Sequence, residues 1–179
     1  MSASEEIHVL NRRVRLLQPA QGFRTSLDSV MLAAACPARN GDNILDLGCG
    51  VGGAGFCVLE RVAGTTLTGI DIQQDHIELA VKNMALNGME KRAEFTCGDM
   101  RDFNGGRFDH IICNPPYLDA GNYTPSPFNK KAMAVGHADE SLSVKDWIDA
   151  GFRNLKNGGS FTIIHRADHT DKIIQGLGK

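Results

Sequence analysis

The sequence predicts an α/β fold in which helices cover both faces of a mostly parallel, twisted sheet. Three observations support this prediction: apolar runs of strand length alternate with helical segments, the first such run leads into a glycine-rich turn, and turn residues separate the others. Strands that alternate with helices form right-handed βαβ units, whose parallel strands are covered on both faces. The 179 residues are predicted to form one domain, with an amino-terminal lid and helix over residues 1–40 and the core over residues 41–179.

The predicted elements follow one another in a regular order along the chain. The first helix lies in RTSLDSVMLAAACP, where Thr25 and Asp28 have capping-box spacing and Pro37 stops the helix. Strand NILDLGCG, helix AGFCVLERV, strand TLTGIDI and helix QDHIELAVKNMALNG come next. Strands AEFTC and FDHIIC then precede helix SVKDWIDAGFRNLKNGG, strand SFTIIH and helix DHTDKIIQGL. The inward helix faces are predicted to contain Ile77, Ala80, Val81 and Met84 after the second strand, and Val144, Trp147, Ile148 and Leu155 before the fifth.

The charge balance narrows the possible partners. The formal net charge is −2, so the chain as a whole does not attract a polyanion, and a nucleic acid would need a local basic patch. The candidate residues for such a patch are Arg12, Arg13, Arg15, Arg24, Lys130 and Lys131. The opening MSASEEIHVL lacks the features of a secretory signal, and no run is long enough to cross a bilayer, which predicts a cytoplasmic protein with no membrane partner.

The cysteines and histidines give little support for a metal or disulfide framework. The five cysteines include no C-x-x-C pair and most lie in apolar runs, which favours reduced and buried thiols. His165 and His169 have the i, i+4 spacing of a metal-binding pair, but neither a nearby glutamate nor a third ligand accompanies them. The sequence therefore predicts no metal site.

The glycine-rich turn after the first strand marks the predicted ligand site, because open parallel sheets bind ligands beyond the carboxyl ends of their strands. The run GCGVGG, Gly48–Gly53, matches the G-x-G-x-x-G pattern of dinucleotide-binding enzymes, and Asp71 follows at the spacing of a ribose-binding carboxylate, so a dehydrogenase is one interpretation. Asp46 argues against it, since a carboxylate so close to the first glycine would repel a pyrophosphate. The same carboxylate suits a ligand with an ammonium group and a sulfonium, such as S-adenosylmethionine.

The motif NPPY, Asn114–Tyr117, follows the fourth strand beside this crevice. A planar conjugated amine is a poor nucleophile, so an enzyme that methylates it must hold its lone pair in line with the methyl group. The side-chain oxygen of Asn114 and the carbonyl oxygen of Pro115 can accept the two amine hydrogens. Pro115 and Pro116 keep these acceptors rigid, and the ring of Tyr117 offers a face on which a flat base can stack. The segment 118–140 that follows is predicted to be a mobile substrate loop.

These motifs resemble those of a known enzyme class. DLGCG, Asp46–Gly50, resembles the first motif of class I methyltransferases, and NPPY resembles the fourth motif of those that methylate amino groups. The resemblance implies a Rossmann-like sheet with S-adenosylmethionine as the cofactor, Asp46 at its methionine end, Asp71 at its ribose and Asp99 at its adenine amine. The implied catalytic residues are Asn114, Pro115, Pro116 and Tyr117. The implied cofactor-binding residues are Asp46, Gly48, Gly50, Asp71, Ile72, Asp99, Met100, Asn114 and Arg24.

The amino-terminal segment, Leu16–Pro37, narrows the resemblance. It is similar to the opening of the bacterial tRNA adenine N6-methyltransferases that modify the adenine next to the anticodon of a valine tRNA, and the likeness extends from about Val14 to His169. The shared features are Gln18 and Pro19, then Gly22, Phe23 and Arg24, then Asp28, and the later HRAD, His165 to Asp168. The resemblance implies methylation of the N6 amine of adenine in RNA, most simply tRNA, with Phe23 and Arg24 as a lid over the cofactor.

Two other functions stay open. NPPY also occurs in the glutamine N5-methyltransferases of release factors, although about forty residues before the first strand are few for the helical domain of that family. An inactive S-adenosylmethionine-binding protein is the other, against which the intact NPPY argues. The family fold ends with an antiparallel pair of strands that this chain lacks, so we expect a truncated form, or a fifth strand whose edge a second copy or another chain covers.

Overall fold

This computed structural model describes residues 4–20, 25–116 and 142–178. The strands are β1 (Ser4–Val9), β2 (Val14–Pro19), β3 (Asn43–Leu47), β4 (Thr66–Asp71), β5 (Ala93–Cys97), β6 (Phe108–Cys113) and β7 (Leu155–Ile163). The helices are α1 (Leu27–Ala35), α2 (Gly53–Arg61), α3 (Gln74–Leu86), α4 (Val144–Asn154) and α5 (Thr170–Leu177), with a short 3-10 helix at Ala167–His169 before α5.

Five strands form one parallel sheet in the order β5-β4-β3-β6-β7. From β3 the chain adds β4 and β5 on one side, then crosses to the other side of β3 for β6 and β7. The strand order therefore reverses between β3 and β6, where Leu47 is level with Cys113. Such a reversal opens a crevice at the carboxyl ends of the two strands. The predicted α/β fold with a mostly parallel sheet is confirmed.

Two apolar layers cover the faces of the sheet, because consecutive strand residues point in opposite directions. Ile44 of β3 belongs to the layer formed with α1, α2 and β2, whereas its neighbour Leu45 belongs to the layer formed with α4. Phe56 of α2 is fully buried in the first layer. Trp147 of α4 is buried in the second, in agreement with the predicted inward face of this helix.

An antiparallel hairpin of β1 and β2 is missing from the prediction, which has only a lid and a helix over residues 1–40. β2 alternates buried and less buried residues, and its Val14 and Leu16 belong to the first apolar layer. The turn between the strands contains neither glycine nor proline; instead Leu10, Asn11 and Arg12 all have positive φ angles. Residues other than glycine rarely adopt this conformation, so the sequence carries no ordinary turn signal here.

Two details predicted for the helices are wrong. α1 is capped by Ser26, whose hydroxyl oxygen accepts a hydrogen bond from the Asp28 N–H group at 3.3 Å, and not by Thr25. Val81 of α3 is 44% exposed rather than inward-facing. The buried residues of α3 are Ile77, Ala80 and Asn83. The inward face therefore includes the polar residue Asn83 and not Val81, which the apolar pattern predicts to face inward.

The boundary between α4 and β7 also differs from the prediction. α4 ends at Asn154 and β7 begins at Leu155, before the predicted strand start at Ser160. Leu155 is level with Phe108 of β6, and the register shifts before Ser160 becomes level with His110. This shift in register accommodates the extra residues of β7. A sequence pattern that assumes regular strand pairing does not reveal such a shift.

Truncation of Leu16 tests whether the hairpin is part of the core. We expect Leu16→Ala to lower the free energy of unfolding by about 2 to 5 kcal/mol, because it removes a fully buried side chain from the first apolar layer. Val81→Ala, on the exposed face of α3, should change it by less than about 0.5 kcal/mol. Urea denaturation of the two variants measures the difference, and equal small losses would show that the hairpin is not packed on the core.

Candidate active site

A cavity opens at the carboxyl ends of β3 and β6. Its walls come from the glycine turn after β3, the start of α1, the first turns of α2 and α3, and the residue after β6. The lining residues are Thr25, Ser29, Asp46, Gly48, Cys49, Gly50, Val51, Gly53, Ala54, His76 and Asn114. The structure thus brings Asp46, Gly48, Gly50 and Asn114 together, as the sequence motifs predict.

The glycine turn adopts a backbone that only glycine accepts readily. Gly48, Gly50 and Gly52 have φ angles of +66°, +54° and +88°. A Cβ atom on Gly48 would lie 2.6 Å from the ring of Trp147, so the absence of a side chain allows the close approach of α4. A Cβ atom on Gly50 would meet no protein atom within 4 Å. Because Gly50 also lines the cavity, the space beside it is open to a ligand.

Asp46 is a buried carboxylate at the floor of the cavity. It belongs to β3, in which residues 44–47 are all buried, and it is only 2% exposed. Its Oδ2 atom accepts a hydrogen bond from the Gly55 N–H group in the first turn of α2 at 3.2 Å. Burial raises the pKa of Asp46 to about 7, helped by the nearby charge of Asp71, while the Gly55 hydrogen bond opposes the rise. A cationic group in the cavity would favour the ionised form.

Asp71, at the end of β4, ties the glycine turn to the neighbouring strand. Its Oδ2 atom accepts from the Gly50 N–H group at 2.8 Å, and its Oδ1 atom accepts from the Gln73 N–H group at 2.8 Å. The backbone of the turn is linked to β4 a second time, since the Cys49 N–H group donates to the Ile70 carbonyl. Asp71 therefore lies behind the turn, close to the ligand space but occupied on both oxygens by backbone donors.

His76 is a cavity residue that the sequence reasoning does not identify. It lies in the first turn of α3, lines the cavity, and places Nδ1 3.8 Å from Oδ1 of Asp71. That Nδ1 atom is buried and makes no hydrogen bond within the described part of the chain. A lone histidine in a helix carries no recognisable pattern, but its position five residues after the predicted ribose-binding aspartate, in the first turn of the next helix, is a signal that could have been used.

Asp99 and its neighbours lie outside the cavity lining. Asp99 forms an ion pair with Arg101 at 2.6 Å, and Met100 is buried in the second apolar layer. Ile72 is 41% exposed at the end of β4. Asp71 at the end of β4 is level with Cys97 at the end of β5. Ile72, Asp99 and Met100, which follow these two strand ends, therefore lie at the same edge of the sheet as Asp71. Their assignment to the adenine of a cofactor stays a prediction.

Asn114 follows directly after β6, where Cys113 is level with Leu47 of β3. It is half-buried and lines the cavity, with Pro115 buried behind it and Pro116 exposed. The rest of the predicted catalytic motif and the predicted lid, Tyr117, Phe23 and Arg24, lie outside the described residues, as does the predicted substrate loop. The amine clamp is therefore seen only in its first three residues.

The basic residues of the amino-terminal segment do not gather at the cavity. The Arg15 guanidinium pairs with Glu6 at 2.9 Å, and Arg13 lies 3.8 Å from Glu60 in the last turn of α2. Both arginines thus lie toward the ends of α2 and α3 that are remote from the glycine turn. Arg24, Lys130 and Lys131 lie outside the described residues.

The remaining candidate groups give no second site. His165 and His169 stack their rings with centroids 4.6 Å apart, and no group of three His, Cys, Asp or Glu side chains in the described ranges is arranged to hold a metal ion. Cys36, Cys49, Cys57 and Cys113 are buried free thiols, whereas Cys97 is exposed. Burial raises the pKa of the Cys57 thiol to about 12 and also raises the pKa values of Cys36, Cys49 and Cys113. Within the described part of the chain, no helix has the length and apolar character needed to span a membrane.

The donors and acceptors of the cavity fit the predicted cofactor. The buried Asp46 carboxylate suits a ligand ammonium group, and the free space at Gly50 admits a ligand close to the backbone. His76 adds a polar side chain to the lining and places its buried Nδ1 atom beside Asp71.

Comparison with known proteins connects this fold with methyl transfer. A family model described as "Methyltransferase small domain" matches residues 24–174. A tRNA1(Val) (adenine(37)-N6)-methyltransferase of Shewanella sp. strain MR-4 is 33% identical over 148 residues, which are 80% of this chain and 61% of that protein. A release factor glutamine methyltransferase of Agrobacterium fabrum is 35% identical over 104 residues, which are 57% of this chain and 36% of that protein. The chain therefore spans less than two thirds of the length of either relative.

A solved structure shares the fold. It is a SAM-dependent methyltransferase from Thiobacillus denitrificans in complex with S-adenosyl-L-homocysteine, with a TM-score of 0.57 and 21% identity. The match covers 78% of this chain and 48% of that chain. This likeness agrees with the predicted Rossmann-like fold.

The pH dependence of stability tests the state of Asp46. A carboxyl group with a raised folded-state pKa binds its proton more tightly in the folded than in the unfolded chain, so it makes the free energy of unfolding fall as the pH rises from about 4 to about 7. We expect the free energy of unfolding of Asp46→Asn not to fall in this way. Between about pH 4 and about pH 7, the stability of the variant should therefore rise relative to that of the wild type by roughly 1 to 4 kcal/mol. Denaturation of both proteins at several pH values measures the difference. A constant difference would contradict a buried carboxyl group with a raised pKa.

Proposed function

Because the chain belongs to the methyltransferase small domain family, we propose that it binds S-adenosylmethionine in this cavity and methylates the N6 amine of adenine in an RNA, with a tRNA as the favoured carrier. Membership of the family confirms the resemblance to methyltransferases found in the sequence. The single observation that carries methylation of a planar amine is the place of Asn114, which lines the same cavity as Asp46 and the glycine turn. A planar amine held at Asn114 would lie beside the cofactor.

Three polar side chains would hold the cofactor. Asp46 would bind the methionine ammonium group, whose charge offsets the cost of burying a carboxylate. Asp71 would accept hydrogen bonds from the ribose hydroxyls, because each carboxylate oxygen has a lone pair beyond the one used by the backbone. His76 would contribute its Nδ1 atom beside Asp71. Asp99 remains the predicted contact of the adenine amine, Ile72 and Met100 remain predicted cofactor-binding residues, and Arg24 remains part of the predicted lid.

The substrate amine would be positioned rather than deprotonated. When bound, S-adenosylmethionine would supply an electrophilic methyl group on a sulfonium: the methyl–sulfur bond would break as the methyl–nitrogen bond forms, S-adenosylhomocysteine would leave, and the methylated nitrogen would then lose one proton to water. The side-chain oxygen of Asn114 and the carbonyl oxygen of Pro115 would accept the two amine hydrogens and turn the nitrogen lone pair toward the cofactor. No strong base is needed at this stage, because the nitrogen becomes acidic only after it is methylated. The proposed stacking of the base on Tyr117 completes the clamp.

The choice of RNA rests on two supports. The Shewanella relative is named for adenine N6-methylation of a tRNA, and the segment Leu16–Pro37 resembles the same enzymes. A tRNA-modifying role also agrees with the predicted cytoplasmic location. Since Arg13 and Arg15 pair with glutamates away from the cavity, the phosphate contacts would come from Arg24, Lys130 and Lys131.

A second candidate is the glutamine N5-methyltransferase activity of release-factor enzymes. The Agrobacterium relative bears that name, and an amide NH2 group is another planar amine that Asn114 could hold. The cavity alone does not separate the two amines. An inactive cofactor-binding protein is less well supported, because such a protein has no use for Asn114 beside the cofactor.

Transfer of radiolabelled methyl groups from S-adenosylmethionine separates these functions. The acceptors are total tRNA that lacks its modifications and, in parallel, a release factor. We expect label in N6-methyladenosine after digestion of the tRNA to nucleosides. Label in glutamine of the release factor would favour the second candidate. Calorimetric binding of S-adenosylhomocysteine with no transfer to either acceptor would favour an inactive protein.

Replacement of Asn114 tests the amine clamp. We expect Asn114→Ala to bind S-adenosylhomocysteine within about threefold of wild type but to lose at least about a hundredfold in the rate of transfer, because positioning supplies most of the catalysis. Asp71→Ala should show the opposite loss, with weaker binding in calorimetry. An Asn114→Ala variant that transfers methyl groups at the wild-type rate would refute the clamp.

A further inference from the structure

The side chain of Asn83 connects two parts of the chain that are distant in sequence. Asn83 lies in α3, is fully buried, and accepts at Oδ1 from the Leu17 N–H group at 2.6 Å. Its Nδ2 atom donates to the Leu17 carbonyl at 2.9 Å and to the Val51 carbonyl at 3.0 Å. Only this orientation of the amide places donors against carbonyls and an acceptor against the N–H group. The amide therefore joins the amino-terminal hairpin to the glycine turn.

The glycine turn needs such an external contact. Gly48, Gly50 and Gly52 carry no side chains that could restrict the backbone, and glycine has the largest conformational freedom of all residues. Asp71 holds the turn from the side of β4 through the Gly50 N–H group. Asn83 holds the next residue, Val51, from the side of α3. The peptide groups on either side of the Gly50–Val51 peptide are thus fixed from two directions.

The hairpin also reaches the cavity at a second point. Gln18 of β2 is 3% exposed, and its Oε1 atom accepts from the N–H group of Thr25, which lines the cavity. Thr25 in turn packs closely on the turn, since a Cβ atom on Gly53 would lie 2.8 Å from its side chain. Two neighbouring residues of β2, Leu17 and Gln18, therefore connect the hairpin to two residues of the cavity wall, Val51 through Asn83 and Thr25 directly.

We propose that Asn83 is a positioning residue of the cofactor site, which sets the glycine turn against the amino-terminal hairpin and so fixes the turn in its binding conformation. This inference rests on the proposed function, since it assumes that the cavity binds S-adenosylmethionine. Asn83 does not touch the cavity and acts through the Val51 carbonyl. Loss of its amide removes the hydrogen bond that holds the turn from the side of α3 and leaves those to Asp71 and Ile70 of β4. A looser turn binds the cofactor more weakly because it must be ordered first.

Asn87 offers a matched control on the same helix. Its Oδ1 atom accepts from the Arg15 N–H group at 2.9 Å, and its Nδ2 atom donates to the Arg15 carbonyl at 2.7 Å. The Nδ2 atom of Asn87 makes its other hydrogen bond to the backbone carbonyl of Asn83 in α3 and not to the glycine turn. Asn83 and Asn87 thus make the same pair of contacts with the hairpin, and only Asn83 continues to the turn.

Hydrogen exchange in the free protein tests the coupling without any ligand. We expect Asn83→Ala to speed amide exchange at Gly50, Val51 and Gly52 at least about fivefold, and Asn87→Ala to leave these amides unchanged while it speeds exchange in β2. Unchanged exchange of the turn in Asn83→Ala would overturn the proposal. Equal acceleration by both variants would also overturn it, because it would reflect general loosening of the hairpin.

Calorimetry with S-adenosylhomocysteine, well below the melting temperature of each variant, measures the consequence for binding. We expect Asn83→Ala to weaken binding about tenfold and Asn87→Ala to stay within about twofold. Wild-type affinity in Asn83→Ala would overturn the inference, whereas a wild-type protein that does not bind would refute the proposed function instead. If Asn83→Ala does not fold, NMR of the wild type replaces it: the Asn83 side-chain amide should shift with ligand as Gly50 does, and an unmoved resonance would overturn the proposal.

Discussion

The hydrogen bond from the Gly50 N–H group to the Asp71 carboxylate joins the two strand ends on which the cavity depends. It keeps the turn after β3 against the end of β4, with a second link from Cys49 to the Ile70 carbonyl. It also fixes a carboxylate close to the buried Asp46, whose pKa rises partly for this reason. Two acidic groups behind a glycine turn make a cavity that favours a cation, which distinguishes it from a pyrophosphate site on the same kind of turn.

Most of the sheet can be predicted from the sequence because its signals are local. The ends of three strands are marked by an apolar run with an acidic or amide residue at or next to the last strand position, at Asp46, Asp71 and Asn114. The hairpin escapes prediction because its turn, Leu10 to Arg12, uses left-handed residues other than glycine, held by tertiary packing of β2. Propensity rules do not anticipate a conformation that packing imposes.

The sequence likewise predicts only part of the candidate site. The motifs identify residues at the carboxyl ends of the strands, since in a parallel sheet these must meet at one edge. They miss His76, which has no pattern of its own. They also miss that Asp99 is already paired with Arg101 two residues away. They give no role to Asn83, because its hydrogen-bond partners, the backbone groups of Leu17 and Val51, come close only in the folded chain.

The distribution of thiols has a practical consequence for chemical labelling. Thiolates react with alkylating agents, and the four buried cysteines have raised pKa values that keep them protonated, with Cys49 and Cys113 further suppressed by the charge of Asp46. Cys97 is the single exposed thiol of the five in the sequence. It lies at the end of β5, level with Asp71. A fluorophore attached there would report on the Asp71 side of the glycine turn without any engineered cysteine.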